Sequence, residues 1–362
     1  MQAREHALPD IADNLINHAI KLQTSDIHLE PFENFYRVRF RLDGLLQKQE
    51  NLSLDIGMRV IARIKLLAKL DITEKRLPQD GRLKLLQKDI RINTCPTLFG
   101  EKVVLRILDC ENASLSLDTL GFNTEQLSLF KKYITAPSGL ILVTGPTGSG
   151  KTVTLYSALH YLNQIEKNIS TVEDPVEIQL AGINQININP KIGLTFANTL
   201  RSLLRQDPDI IMIGEIRDKE TAEIAVQAAH TGHLVFSTLH TNNAIEALNR
   251  LSAMGIPNYN IVHSISLIIA QRLIRRICQT CHAQKHLSPC DACLNGYKGR
   301  TAIYEMLPFN EKIALHVLNN THLQTILNNE HTEGYCSLAK SAREKIQNGV
   351  TDTFEISRVL HL

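Results

Sequence analysis

Eight residues constrain this chain more than any other stretch. Gly145-Pro146-Thr147-Gly148-Ser149-Gly150-Lys151-Thr152 follows directly on the apolar run Leu140-Ile141-Leu142-Val143 and precedes a segment with helical spacing. This is the G-x-x-x-x-G-K-[ST] pattern in the strand, loop and helix setting that it requires. The glycines let backbone N–H groups turn inward as an anion nest, and the following helix adds its positive end. Lys151 can then reach β and γ phosphates, and Thr152 offers its hydroxyl to Mg²⁺. A structural glycine turn does not call for Lys-Thr after it. The expectation is a site for ATP and Mg²⁺ built from Gly145 through Thr152.

A phosphate loop of this kind belongs to a mainly parallel, helix-covered α/β sheet, and the sequence from residue 122 to 362 has that rhythm. The short apolar runs GLILVTG, NISTVE, DIIMIGE and HLVFSTLH alternate with helical segments after Lys151 and near 196–205, 219–230 and 243–254. RTAIYEML adds a further strand, and 308–362 reads as a helical tail. Ligands of such a sheet gather at the carboxyl ends of its strands. Residues 1–108 read as a smaller α+β domain: helical IADNLINHAIKLQ and LDIGMRVIARIKLLAKL stand among the strand-like runs SDIHLE, FYRVRFRL, RLKLL, DIRINTC and EKVVLRIL. The polar stretch 109–121, DCENASLSLDTLG, reads as a linker. Two domains also suit a length of 362 residues, more than one core usually organises.

Acids downstream of the loop should handle water and metal. Asp209-Ile-Ile-Met-Ile-Gly-Glu215 has the apolar strand of a Walker B element but ends in Gly-Glu. Glu215, at the carboxyl end of that strand, is expected to face the γ-phosphate and to orient or deprotonate the attacking water. Glu173-Asp174-Pro175-Val176-Glu177 forms a second acidic cluster, with Glu177 the candidate in it. His233 and His240 flank one strand-like run. Seven residues apart they are not spaced as metal ligands on one helical face, so they read as polar sensors of nucleotide state or of a neighbouring subunit. In Tyr36 to Leu42 the period of two puts Arg37, Arg39 and Arg41 on one face and Tyr36, Val38, Phe40 and Leu42 on the other. The arginines read either as a solvated charged face or as groups that reach a phosphate. Arg201 and Arg205, four apart, are a second such pair.

Composition removes several classes of function. A net charge of +2 makes no bulk electrostatic case for nucleic acid, and basic residues are not interleaved with aromatics, so no nucleic-acid partner is expected. The start, MQAREHALPDIADN, lacks the apolar core of a secretory signal. The greasiest stretch, 261–274, is broken by His263, Ser264, Ser266, Gln271 and Arg272, so no membrane span is expected. That combination points to a reducing, cytoplasmic setting. There Cys278-x-x-Cys281 and Cys290-x-x-Cys293 read neither as structural disulfides nor, despite the Cys-x-x-Cys-His spelling at 278–282, as a haem attachment. Tetrahedral Zn²⁺ on four thiolates is the expectation, with His282 and His286 as bystanders.

Taken together these residues resemble the type II secretion and type IV pilus assembly ATPase family. The similarity is carried by Ser25 to Pro31, Arg39 to Gly44, Glu74 to Arg82, Pro96 to Lys102, the phosphate loop, the acidic box at 171–177, Leu200 to Asp218 and the histidine box at 231–241. The resemblance implies a PAS-like first domain and a RecA-like ATPase domain assembled as a homo-hexamer. It further implies that Lys151, Thr152 and Glu215 carry hydrolysis, that Glu177 and His233 assist, and that Arg39 or Arg41 approaches the phosphates. The implied partner is an inner-membrane platform protein of a pilus or secretion system, with the motor cytoplasmic and peripheral to the membrane. It also supports the zinc reading of 278–293 and, because retraction ATPases normally lack four such cysteines, the assembly or secretion branch. The eight residues between Cys281 and Cys290 make a shorter insertion than relatives commonly carry. The added N-terminal domains of longer members are missing, as in a naturally short form or a piece of a longer chain. A nucleic-acid-translocating motor and a nucleotide-binding scaffold without hydrolysis are the alternative readings.

Overall fold

Period-two alternation builds the first sheet. In the computed structural model, which describes residues 8–86, 88–108, 116–283, 293, 295–319 and 334–360, Tyr36, Val38 and Phe40 are buried while Arg37, Arg39 and Arg41 occupy the opposite face. Their strand, β2 (Phe35–Leu42), lies in an antiparallel sheet with β1 (Asp26–Pro31), β3 (Leu45–Lys48), β4 (Leu52–Ser53), β5 (Gln79–Leu85), β6 (Lys88–Thr97) and β7 (Gly100–Leu108). The order is β3-β2-β1-β7-β6-β5, with β4 on β2. Helices α1 (Leu8–Lys21) and α2 (Leu54–Leu67) cover the apolar face, where Ala12, Ile16, Val60, Ile61 and Ile64 meet Ile27, Leu29, Phe40 and Leu105. The polar face pairs Glu30 opposite Arg37, His28 opposite Arg39 and Asp26 opposite Arg41.

The chain forms two compact units, Met1–Ala113 and Ser114–Leu362. The stretch expected as linker lies outside the described residues from 109 to 115, but Leu117 and Leu120 are buried in the core of the second unit with Phe130 and Tyr304. A short helical turn at Leu117–Thr119 brings them there.

In the second unit a sheet of order β10-β9-β11-β12-β8-β13-β14 is parallel except for its last pair. Its strands are β8 (Gly139–Thr144), β9 (Ile169–Glu173), β10 (Asn184–Asn187), β11 (Ile210–Ile213), β12 (Leu234–Leu239), β13 (Ile265–Ile277) and β14 (Tyr297–Pro308). All residues of β8, β9, β11 and β12 are buried, as expected of a sheet with helices on both faces. One face carries α5 (Phe196–Leu203), α6 (Lys219–His230), α7 (Ala244–Ala253) and α8 (Asn258–Ser264), and the other α3 (Thr124–Ile134) and α4 (Lys151–Leu162). The greasy stretch at 261–274 is thus the end of α8 and most of β13, a buried strand. Among the described residues no helix is long and apolar enough to cross a membrane. In the tail, Glu311–Leu318, Leu338–Gln347 and Thr353–Leu360 are helical.

The last of these helices is fastened to β13 by a buried ion pair. Arg275 donates from Nε and a terminal nitrogen to Glu355, at 2.8 and 2.7 Å, and Arg358 adds a second guanidinium to the same carboxylate. Burial pushes the Glu355 carboxyl up, but the hydrogen bonds from Arg358 and Arg275 prevail and hold it down to about 2. A carboxyl held below its ordinary value contributes stability above that ordinary value and loses it as the pH falls toward about 2. Glu355→Gln leaves Arg275 buried without its counter-charge and is expected to cost about 3–5 kcal/mol. Thermal unfolding at neutral pH checks this, and an unchanged melting temperature would show that the pair is not a fastening.

Candidate functional site

Strand register positions the phosphate loop. β8 runs parallel to β12, with Thr144 level with Leu239, and parallel to β13, with Thr144 level with Ala270. The loop therefore leaves the sheet between the carboxyl end of β12 and the continuing run of β13. Gly145 has φ +147, and a Cβ there would stand 2.6 Å from the Gln271 carbonyl; Gly150, at φ +90, would press one against the Gln271 amide nitrogen at 2.7 Å. Both positions need glycine because β13 passes directly beneath. The buried Gln271 also accepts a hydrogen bond from the Thr154 hydroxyl at 2.8 Å, tying α4 to that strand. Gly150 caps α4 with no side-chain bond, whereas Asn123, Thr195, Asp218 and Asn243 cap α3, α5, α6 and α7. The first N–H groups of α4 have no side-chain cap to accept them.

Inside the loop the Lys151 ammonium donates to the carbonyls of Gly145, at 2.8 Å, and Pro146, at 3.1 Å. Burial pushes its pKa down, Glu215 opposes and Arg272 adds to the fall, leaving it at about 8. Ser149 Oγ is buried with no hydrogen-bond partner among the described residues. Pro146, Thr147, Gly148 and Thr152 are exposed. A cationic amine, an unpartnered hydroxyl and uncapped N–H groups converge on a space suited to phosphate oxygens.

Glu215 follows β11 and Gly214, mostly buried, with its carboxylate 2.5 Å from Arg217 and 3.3 Å from His240 Nε2. His240 follows β12, so the acid and the histidine come from adjacent parallel strands. The next residue, Thr241, is locked to the strand ahead of the phosphate loop: Thr144 Oγ1 accepts the Thr241 N–H at 3.0 Å, and the two hydroxyls lie 2.7 Å apart. In the acidic box, Glu173 is the buried member. It accepts from Tyr156 of α4, from Thr171 at 2.6 Å and from Gln185 at 3.3 Å, and burial pushes its carboxyl up. Glu177 is half-buried, and its N–H donates to the Tyr156 hydroxyl at 3.2 Å.

Other expected site residues have partners of their own. His233 precedes the start of β12, where its carbonyl accepts from Gly139, the first residue of β8, and its Nδ1 lies 3.0 Å from the Ala228 carbonyl. It is at the amino edge of the sheet, about 20 Å from the phosphate loop, because a six-residue strand at about 3.3 Å per residue intervenes. Within one chain His233 does not join Lys151 and Glu215; His240 does. Arg201 pairs with Glu220, and Arg205 donates to the Arg201 carbonyl on an exposed helix end. In the first unit Arg39 is bidentate on Glu30, at 2.8 and 2.7 Å, and Arg41 donates to the Gly44 carbonyl at 2.9 Å beside Asp26. Gln271, Arg272 and the Thr144–Thr241 clasp belong to the site without being among its expected residues. Their signal was available, since Gln271-Arg272 is the polar pair that breaks the greasiest run.

The cysteines occupy the tip of the β13–β14 hairpin. Cys278 and Cys281 are buried, Cys293 is half-buried, and their sulfurs lie within 4.8 Å of one another, with Cys281 and Cys293 3.3 Å apart. Tetrahedral thiolates about 2.3 Å from a zinc ion stand about 3.8 Å from one another, so three converging sulfurs fit such a centre. Cys290, His286 and the side chain of His282 lie outside the described residues.

The family model described as "Type II/IV secretion system protein" matches residues 2–358, and the chain belongs to that family. It is 48% identical to the type IV pilus assembly ATPase PilB of Acinetobacter baylyi over 96% of this chain and 65% of that protein. To the type II secretion system protein E of Xanthomonas campestris pv. campestris it is 43% identical, over 99% of this chain and 68% of the relative. The solved pilus retraction motor PilT with bound ADP matches at a TM-score of 0.63 and 28% identity, covering 96% of this chain and 98% of that one. The chain thus spans less than two thirds of the length of the PilB relative.

The lowered Lys151 value makes a testable link to pH. A polyphosphate in the loop stabilises the charged amine, so binding is expected to take up a proton above about pH 8 and to weaken as pH rises further. Calorimetric titration with ADP in buffers of different ionisation enthalpy reads that uptake. Proton release in the same pH range would contradict the assignment.

Proposed function

We propose that this chain is the ATP-hydrolysing motor of a type IV pilus assembly or type II secretion system. The carrying observation is that Lys151, Glu215 and His240 meet at one edge of a parallel sheet, beside a loop with a buried unpartnered hydroxyl. In this reading the loop and the amino end of α4 hold the ATP phosphates, and Lys151 exchanges its carbonyl partners for phosphate oxygens. Thr152, exposed in the first turn of α4, would hold Mg²⁺, which supplies charge neutralisation between the phosphates. Glu215 takes a proton from the attacking water as the bond from the γ-phosphorus to its bridging oxygen breaks, leaving ADP and inorganic phosphate. The His240 imidazole holds the Glu215 carboxylate in that orientation.

The family and its named relatives support the larger reading: a homo-hexamer, cytoplasmic and peripheral to the inner membrane, acting on a platform protein that feeds subunits into a filament. Higher identity to PilB than to the type II secretion protein favours the pilus branch. The strand order supports a RecA-like second domain, with Leu117 and Leu120 drawn into its core ahead of residue 122, and the helix-backed antiparallel sheet supports a PAS-like first domain (1–108). Glu177 and Glu173 would brace the acidic side of the site through Tyr156. For Arg39 to reach a phosphate it must exchange its two bonds to Glu30, whereas Arg41 gives up the Gly44 carbonyl and a 3.6 Å ion pair with Asp26. His233, at the far edge of its own sheet, fits a sensor of a neighbouring subunit.

The cysteine centre is read as structural zinc on Cys278, Cys281, Cys290 and Cys293; the ion contributes folding free energy and holds the hairpin tip closed. Cys281→Ser is expected to lose stoichiometric zinc and melt earlier while keeping ADP binding. Full zinc content in that protein would remove Cys281 from the ligand set.

Lys151→Ala is expected to abolish ATP binding. Glu215→Gln is expected to keep binding but lose about 10²- to 10⁴-fold in turnover, the span of a positioned general base. A phosphate-release assay with separate binding measurements tests both. Turnover by Glu215→Gln equal to that of the unsubstituted chain would refute the hydrolytic assignment.

A further inference from the structure

One charged side chain unused by these roles spans the gap between the phosphate loop and the histidine. Arg272 follows Gln271 on β13, one step past the level of the phosphate loop. One terminal nitrogen donates to the Gln271 carbonyl at 3.0 Å, the same carbonyl that forbids a side chain at Gly145. The other donates to the Asn242 carbonyl at 2.8 Å, two residues beyond His240. Between them Thr241 is fixed to Thr144, so the backbone on both sides of Thr241 has its position set. Burial and the charge of Glu305 have opposite effects on the guanidinium, with Glu246 as a further counter-charge. Glu305 is itself anchored on β14, accepting from the Ala244 N–H at 3.3 Å and from the Tyr335 hydroxyl at 3.2 Å. Ala244 opens α7, immediately after the histidine-bearing loop. The two carbonyls that Arg272 grips therefore belong to the floor of the phosphate loop and to the segment that follows His240.

We propose that Arg272 is a positioning residue that ties the floor of the phosphate loop to the His240 segment and so holds His240 against Glu215. The proposal rests on the hydrolytic reading above for its kinetic consequence, but not for its geometry. A planar guanidinium reaches two carbonyls at once, whereas a lysine ammonium on a flexible stem keeps the charge and loses the fork. Charge and span can therefore be separated. If Arg272 acted only as a positive charge beside Lys151, lysine would replace it. If it acts by spanning, lysine fails as alanine does.

The test uses the full chain and two readouts. Modification of histidines by diethyl pyrocarbonate, followed by mass spectrometry, compares His240 with the exposed His230 as an internal standard in Arg272→Ala and Arg272→Lys. Faster labelling of His240 alone, in both variants, is the expected result. In steady-state kinetics both variants are expected to lose about 10- to 100-fold in kcat, as a slightly displaced group does, with KM for ATP little changed. Combining Arg272→Ala with His240→Ala should add little to either single loss, because the two act as one unit. Unchanged His240 labelling, full rescue by lysine, or losses that multiply in the double variant would each overturn the proposal. A chain that labels as expected yet hydrolyses no ATP would overturn the hydrolytic reading and leave the positioning intact.

Discussion

Everything at the candidate site depends on one piece of parallel register. Because Thr144 stands level with both Leu239 and Ala270, the turn after β8 emerges beside the end of β12 and directly over the continuing β13. Two consequences follow from that placement. The loop must be glycine where Gln271 passes beneath it, and the segment that follows β12, whose own pairing with β11 sets His240 beside Glu215, must lie beside the loop. The clasp between Thr144 and Thr241 then fixes the separation of the two turns with hydroxyl groups, whose directional bonds resist sliding better than apolar contact does.

β13 acts as a common beam. Its first half pairs with β8 and floors the phosphate loop; its second half runs on beyond β8, still paired with β14, to Arg275, locked under the last helix by Glu355, and to Cys278 at the hairpin tip. The Arg275 guanidinium also stacks over Tyr297, 4.0 Å from the ring centroid, and Tyr297 donates to Asp352 at 2.6 Å. The cysteine centre, the tail helix and the phosphate loop thus hang on one strand. A loosened hairpin tip would be felt first in the strand that supports the loop rather than in the loop itself.

Much of this was legible in the amino-acid sequence because two periodicities and one motif are local properties. The alternation in Tyr36 to Leu42 assigned both faces of β2, and four apolar runs located β8, β9, β11 and β12. The phosphate loop and Glu215 were legible for the same reason: each is fixed by its own strand end. What escaped was set by pairing between distant segments. β13 shows in the sequence only as a greasy run, because a mostly buried strand lacks the regular alternation that would betray it. His233 reads from the sequence as a sensor of nucleotide state or of a neighbouring subunit, and strand direction sends its end of Leu234–Leu239 away from the loop of its own chain. Burial separates Glu173, bonded to Tyr156, Thr171 and Gln185, from the half-buried Glu177, and burial is not visible in a run of acids.

The most direct test of the account is an experimental structure of the full chain with Mg²⁺ and a non-hydrolysable ATP analogue. The account requires the Lys151 ammonium to leave the Gly145 and Pro146 carbonyls for the terminal phosphates, with Glu215 and His240 still paired and facing the γ-phosphate. A triphosphate seated elsewhere, or Lys151 still bound to those two carbonyls with nucleotide in place, would contradict it.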